Sequence, residues 1–391
     1  MTCAAANSSH PRIAIAGAGI IGLSCALELA RRGASVTLYD PNPPGRGASW
    51  AAAGMIAPAF EAASEEGVHP RLFDLCLESA GLWPDFAEQL ERESGQSVGY
   101  APGPSLAVAA DEATAKHLDG ILETLQARAL PGDQLDIAAA RAIEPALSPD
   151  LCGALRLQTD GHVNNRAVVS ALISVCERHP AITLEATAAP LHASGSTLAI
   201  DGHDLLLVTA GWQSAALKVS EQGKQFSLVN WETTLDEIDT FGGQMLSVER
   251  RADHPDTTLR AGPIYMVPRG RELVIGATME PGRTTGMPNT DDIAALLSRA
   301  ATIVPSLADA RIASTWSGVR PGTPDLAPFL GRTRQPNMFV AAGHYRNGIL
   351  LTPITARIIA DLMLEETANP LAEAFTPNRL QFKRKVAYSR G

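Results

Sequence analysis

Residues 12–40 read RIAIAGAGIIGLSCALELARRGASVTLYD, and this stretch decides the fold. Ile13, Ala14, Ile15 and Ala16 make a short apolar strand. Gly17-Ala18-Gly19-Ile20-Ile21-Gly22 follows at once, and residues 23–32 continue with the apolar periodicity of a helix. Gly33 closes that helix, residues 36–39 form a second strand, and Asp40 ends it. The glycines have the spacing of a dinucleotide-binding turn. The first allows a tight turn, the second lets a pyrophosphate approach backbone, and the third lets helix and strand pack closely. Asp40 lies about 20 residues beyond, where a carboxylate accepts a hydrogen bond from a ribose hydroxyl and disfavours a 2′-phosphate.

Working outward, the chain has 391 residues, 45% of them hydrophobic, with 33 Gly and 27 Pro. That is too long for one small core and implies two lobes. The formal charge is −10 and no block of Lys or Arg occurs, which argues against nucleic acid as a partner. No run of about 18 apolar residues is present to span a membrane. Residues 1–11 read as a disordered polar lead rather than a signal peptide. The five cysteines are odd in number, widely spaced and without a CxxC motif, as expected of reduced thiols in a cytoplasmic protein. The nine histidines form no close pair, so no metal site is expected, and no GxSxG marks a serine nucleophile.

The periodicity predicts helices over residues 70–93, 111–127, 136–143, 163–176 and 348–364. Apolar runs at 205–209 and 337–341 read as buried parallel strands beside the first unit. Strand-like segments at 245–248, 264–267, 273–278 and 312–319, with little helix between them, read as an antiparallel sheet. The fold class is therefore α/β, α+β overall: a Rossmann-type dinucleotide-binding domain built from residues 1–90, 148–220 and 322–391, and a second domain built from 91–147 and 221–321. The acidic stretch 218–241 is read as a crossover or lid, with a solvated surface loop as the other reading.

Three further segments point to a flat ligand. Residues 50–58 are rich in small side chains, which suits backbone lying against a ring or a tight helix contact. The strand at 205–209 runs into Ala210-Gly211-Trp212, a turn that meets the dinucleotide. Residues 343–353 place His344, Tyr345, Arg346 and Asn347 between two glycines at a helix start, whose backbone N–H groups and positive dipole end face electron-rich groups.

With these residues in hand, the chain resembles the D-amino-acid oxidase superfamily of flavoproteins, and within it the glycine oxidases of thiamine biosynthesis, from Ile13 to about Arg379. The resemblance implies FAD, held by Gly17, Gly19, Ile20, Ile21, Gly22 and Asp40. It also implies contacts from Ser49, Ala52, Ala53, Gly54 and Met55 behind the isoalloxazine, from Ala210, Gly211 and Trp212, and from His344, Tyr345, Asn347, Gly348, Ile349 and Leu350. Members that bind flavin covalently use a cysteine near the carboxylate-binding turn. No Cys lies beyond Cys176, so non-covalent FAD is implied. Arg320, in Gly318-Val319-Arg320-Pro321-Gly322, matches the arginine that clamps the substrate carboxylate. Its planar fork suits that task, although a structural salt bridge is the other reading. Tyr265 either donates its phenol to the same carboxylate or is core. Arg346 contacts substrate or steers anions at the flavin rim, and Met279 lines the pocket or simply packs. Two departures stand out. Residues 239–244 read Asp-Thr-Phe-Gly-Gly-Gln where relatives carry a Pro-Val-basic-Gly-Gln/Glu pattern, and Pro263 or Ile264 replaces a histidine before the tyrosine.

The implied activity is hydride transfer from the Cα of glycine or another small amino acid or amine, giving oxo acid, ammonia and hydrogen peroxide, with O2 as acceptor. A small pocket is implied by Met279 beside Tyr265. A homo-oligomer is compatible. The alternative is a dehydrogenase of D-amino acids or secondary amines that uses a quinone or protein acceptor. A third reading is a flavin-holding subunit whose role is assembly.

Overall fold

A computed structural model describes residues 11–63, 68–284, 286–364 and 369–380; the polar lead at 1–10 lies outside them. The strand Arg12–Ala16 is the centre of a six-stranded sheet. Ser35–Tyr39 and then Ile182–Glu185 extend it on one side, and Leu205–Val208 and then Met338–Ala342 on the other, all parallel. Phe329–Arg332 closes one edge antiparallel to Met338–Ala342. Ile13, Ala14 and Ile15 are fully buried, because helices or strands cover both faces of a parallel sheet.

One face is covered by the helices Ile20–Arg31, Asn165–Arg178 and Thr352–Met363, whose Leu23, Leu27, Leu172, Ile354 and Ile358 share one core with Leu72 and Trp83 of the long helix Leu72–Ser94. Asn164 caps its helix by accepting from the Ala167 N–H. The final helix starts four residues later than the periodicity indicates, at Thr352, with Pro353 in its first turn, where proline costs no hydrogen bond. Residues 344–351 are turns that lead into it.

The opposite face carries a small sheet of Leu191–Ser194, Thr197–Ile200, Lys218–Glu221 and Lys224–Ser227. Residues 218–238 are therefore a crossover, and the lid reading is corrected. Leu228, Leu235 and Ile238 are buried in that core. Glu232 is fully buried and accepts from the N–H groups of Thr234 and Arg334, which fixes the segment in place.

The second sheet has nine strands and is antiparallel except where Leu259–Ala261 runs parallel to Ser105–Ala109. Its centre is the sequence of neighbours Leu259–Ala261, Ile264–Arg269, Glu272–Gly276, Asp239–Glu249 and Ile312–Gly322. Gly153–Leu157 pairs with Ser105–Ala109, so the chain visits this sheet before Asn165–Arg178 returns to the first. Alternation gives each strand two faces. Leu246, Val248, Met266, Leu273 and Ile275 face the helix Thr290–Ile303, with Ile293, Leu296 and Ala300. Met245, Tyr265, Val267, Val274 and Trp316 face Ala51 and Ala53.

Candidate functional site

The glycine turn has little slack. Gly17 has φ +114°, and a Cβ on it would lie 2.7 Å from Ala210 N; a Cβ on Gly22 would lie 2.0 Å from the Gly17 carbonyl oxygen. Thr209 Oγ1 donates to that carbonyl at 2.7 Å, and the Ile20 N–H donates to Ser49 Oγ at 2.9 Å. Asp40 does more than the sequence indicates. Its carboxylate accepts from the Ala18 N–H and the Asn42 N–H, each at 2.9 Å, and so braces the turn.

Beside the turn lies a cleft of about 560 Å³ lined by Gly17, Gly19, Ile20, Ile21, Asp40, Ser49, Ala52, Ala210, Gly211 and Trp212, with His344, Gly348 and Ile349 at one end. Gly22 packs the helix rather than lining the cleft. Arg46 and Lys218, not singled out by sequence, add cations to its wall. A glycine-floored cleft at the N-terminus of the helix Ile20–Arg31 fits the pyrophosphate of FAD.

A second cavity of about 440 Å³ is lined by Ala53, Gly54, Met55, Tyr265, Met279 and Arg320. Ala48, Ala52, Arg346 and Ile349 border both spaces, so the two meet at the small-residue segment. It lines the cavities, and it also packs tightly: Cβ atoms on Gly54 and Gly318 would lie 2.0 Å from the Val163 carbonyl oxygen and 2.4 Å from Ala51 Cβ.

One face of the second sheet carries the arginine and the tyrosine that the sequence singles out. In register, Arg260 stands opposite Tyr265, Tyr265 opposite Gly276, Gly276 opposite Met245, and Met245 opposite Trp316. Gly318 and Arg320 follow Trp316 at two-residue steps, which keeps them on the same face. The half-buried Arg320 donates from Nη1 to the carbonyls of Gly242 at 3.3 Å and Thr278 at 3.5 Å. Its guanidinium lies where a Cβ on Gly243 would come within 2.4 Å of Nη1. Gly242 and Gly243 seat Arg320, and the buried Gln244 locks them by donating to Glu280 at 2.8 Å and Asp292 at 2.6 Å. Tyr265 is buried and lies across Gly276, where a Cβ would be 2.3 Å from its hydroxyl. Met279 is 42% exposed and its sulfur accepts from the Tyr345 hydroxyl at 3.6 Å. Tyr345 stands edge-on to Phe241 and carries the Arg346 guanidinium 5.1 Å from its ring centre.

Asn347 and Leu350 line neither cavity. Leu350 sits in the core, and its carbonyl accepts from Ser79 Oγ at 2.6 Å and Trp83 Nε1 at 2.9 Å, which anchors the turn. The N–H groups of Gly348 and Ile349 meet no backbone acceptor among the described residues. Sequence reading missed Phe60, His117, Met245 and Arg260, all of which line the second cavity.

His344 is buried against Thr355, with 3.1 Å between Nε2 and Oγ1, and burial lowers its pKa from 6.5 to about 3. The folded state keeps it neutral, whereas the unfolded chain takes up a proton below about 6.5. Its contribution to stability is therefore full above pH 6.5 and is lost as pH falls toward 3. Between those limits the wild type is expected to lose up to about 1.4 kcal/mol per pH unit more than His344→Gln. Chemical denaturation of both proteins at pH 7, 6 and 5 checks this; parallel curves would contradict it.

Among the described residues no group of three His, Cys, Asp or Glu side chains is placed to hold a metal ion, and no helix is long and apolar enough to cross a membrane. A Rossmann-type cleft joined through a small-residue floor to an arginine-bearing sheet defines a flavoprotein oxidoreductase architecture. The chain belongs to the FAD dependent oxidoreductase family, whose pattern matches residues 12–362. It is similar to glycine oxidase of Geobacillus kaustophilus, 34% identical over 92% of this chain and 95% of that one. A crystal structure of glycine oxidase from that organism superposes with a TM-score of 0.83 at 30% identity, covering 95% of this chain and 99% of the other. The bifunctional protein ThiO/ThiG of a Synechocystis species is 35% identical over 94% of this chain but 54% of its own length. The chain thus spans about half the length of the bifunctional relatives.

Proposed function

We propose that the protein oxidatively deaminates glycine or another small amino acid or amine, as the printed names of its relatives indicate for them. The observation that carries this reading is Arg320 and Tyr265 on one sheet face, above the floor that both cavities share. FAD, bound without a covalent link, supplies a hydride acceptor for the substrate Cα. The chain's own residues position the substrate. The Arg320 fork takes the carboxylate bidentately while Gly242 and Thr278 hold its other edge. Tyr265 adds a phenol to the same group. Arg346 borders both cavities and favours anions there. The N–H groups of Gly348 and Ile349, just before the last helix, favour negative charge at the cleft's end. Positioning dominates, because the amine needs only to lose a proton before reaction.

Oxygen is the acceptor in this reading, and the balance is amino acid, O2 and water to oxo acid, ammonia and hydrogen peroxide. The protein works in the cytoplasm in thiamine biosynthesis, and it tolerates a homo-oligomer. Of the domain division read from sequence, the nucleotide-binding domain is extended from 148–220 to 148–238, because residues 221–238 pack in its core, and it also takes in 11–90 and 322–380, with the strand Gly153–Leu157 lent to the substrate-side domain of 91–147 and 239–321.

Peroxide and ammonia are expected in equal amounts from glycine in air. Sarcosine and D-alanine should react, and D-phenylalanine should react more slowly, because Met279 and Tyr265 bound the pocket and a misfit methylene costs about 1–3 kcal/mol. Flavin reduction without peroxide would instead favour a quinone or protein acceptor.

A further inference from the structure

We infer that the Thr278 hydroxyl, oriented by Glu280, is a positioning group for Arg320 that sets how its guanidinium meets the substrate carboxylate. This rests on the reading of Arg320 as the carboxylate clamp in the oxidation of small amino acids.

The first observation is an irregularity in the second sheet. Asp239–Glu249 pairs with Glu272–Gly276 as far as Met245 opposite Gly276, and pairing resumes at Gly242 opposite Glu280. Between those two pairs lie two residues on one strand, Gly243 and Gln244, and three on the other, Ala277, Thr278 and Met279. This is a bulge, which breaks the ladder locally and re-aims the groups that it carries. Here the Thr278 carbonyl accepts from Arg320 Nη1 at 3.5 Å, and Met279 lines the cavity. The other carbonyl under Arg320, that of Gly242 at 3.3 Å, belongs to the facing strand. The clamp therefore rests on two strands at the point where regular pairing no longer fixes their separation.

The second observation is what ties the two strands there instead. The Gln244 N–H donates to Thr278 Oγ1 at 2.9 Å, and the Thr278 N–H donates to the Gln244 carbonyl at 3.3 Å. A hydroxyl carries one proton, so it accepts from Gln244 in a fixed orientation only when that proton is engaged elsewhere. Glu280 engages it, because Thr278 Oγ1 donates to its Oε1 at 2.6 Å. The same oxygen accepts from Gln244 Nε2 at 2.8 Å, and Glu280 also pairs with Arg283. Burial alone would raise the Glu280 pKa, but these donors outweigh it and hold the carboxyl below the usual range. The acceptor is thus a carboxylate, and hydrogen bonds to a charged group are the shorter and stronger kind. Thr278 is half-buried and lines the cavity, so its side chain is not needed to fill a core. Without the hydroxyl its carbonyl is free to swing, and the guanidinium with it. A bidentate contact is productive only when its fork is held to within about 0.5 Å.

The test uses holoenzyme and two readouts. In Thr278→Val, which keeps nearly the same shape and loses the hydroxyl, kcat/KM for glycine should fall by about tenfold, the worth of one well-made hydrogen bond. The loss should lie in KM, with kcat nearly kept, because the clamp holds ground state and transition state alike. Acetate, a carboxylate that cannot be oxidised, should perturb the flavin spectrum only at correspondingly higher concentration. Thr278→Ser should recover most of the loss, and Glu280→Ala should reproduce it. In an Arg320→Ala background Thr278→Val should cost almost nothing further, because the hydroxyl acts through the arginine. Equal losses in both backgrounds, a loss in kcat alone, or unchanged kcat/KM and acetate binding each overturn the inference while oxidation of glycine stands. If Thr278→Val fails to fold, Glu280→Ala and its double variant with Arg320→Ala decide by the same comparison. Acetate binding that weakens in Thr278→Val, in a protein whose flavin no amine reduces, supports the positioning role and overturns the oxidase reading instead.

Discussion

Arg320→Ala is expected to lower kcat/KM for glycine by roughly 30- to 5,000-fold, since loss of one partner from a partly dry charge pair costs about 2–5 kcal/mol and each 1.36 kcal/mol is tenfold. The guanidinium rests on two backbone carbonyls, of Gly242 and Thr278, at 3.3 and 3.5 Å. No carboxylate salt bridge involving Arg320 occurs among the described residues, so its charge is directed to the cavity rather than to the fold. Flavin content and melting temperature should accordingly change little. Arg320→Lys should recover only part of the loss, because an ammonium cannot reproduce the fork. A variant that unfolds or sheds FAD while the surviving holoenzyme keeps normal kcat/KM would assign Arg320 to structure.

Gly22→Ala should remove FAD and destabilise the protein by about 3 kcal/mol or more, at the upper end of the usual cost of overpacking. Its Cβ would lie 2.0 Å from the Gly17 carbonyl oxygen and 2.7 Å from Thr209 Oγ1. Neither neighbour can retreat. The carbonyl belongs to the turn, and the helix Ile20–Arg31 is buried along Leu23, Cys25, Ala26 and Leu27. Gly19→Ala separates the two roles of the turn. Its Cβ would meet only Ser49 Oγ, at 3.3 Å, so the fold should survive while FAD affinity falls, because the methyl enters the cleft. Flavin per polypeptide and thermal melting of both variants check this. Normal flavin content in Gly22→Ala would refute the packing account.

Most of the first sheet was legible because parallel strands leave continuous apolar runs and the glycine turn has a fixed spacing. The strand positions of the second sheet were legible from alternation. The face that brings Arg260, Tyr265 and Arg320 to one cavity was not, because it depends on register across five strands. Tyr265, Gly276, Met245 and Trp316 form one row only once those pairings are known. The same limit hid Arg260, which sits on a three-residue strand just before a turn and carries no motif. Residues 239–244 read as a departure from the family, yet Gly243 leaves room for the Arg320 guanidinium and the Gly242 carbonyl accepts from it. The final helix was placed too early because the turns at 344–351 bury Ile349, Leu350 and Leu351 and so imitate helical periodicity.

The most direct test of the central claim is anaerobic mixing of the flavin-loaded protein with glycine. The account predicts that the oxidised flavin band bleaches in the wild type, and that Arg320→Ala at the same glycine concentration stays oxidised or bleaches far more slowly. A wild-type flavin that remains oxidised with glycine, sarcosine, D-alanine and iminodiacetate alike would contradict it.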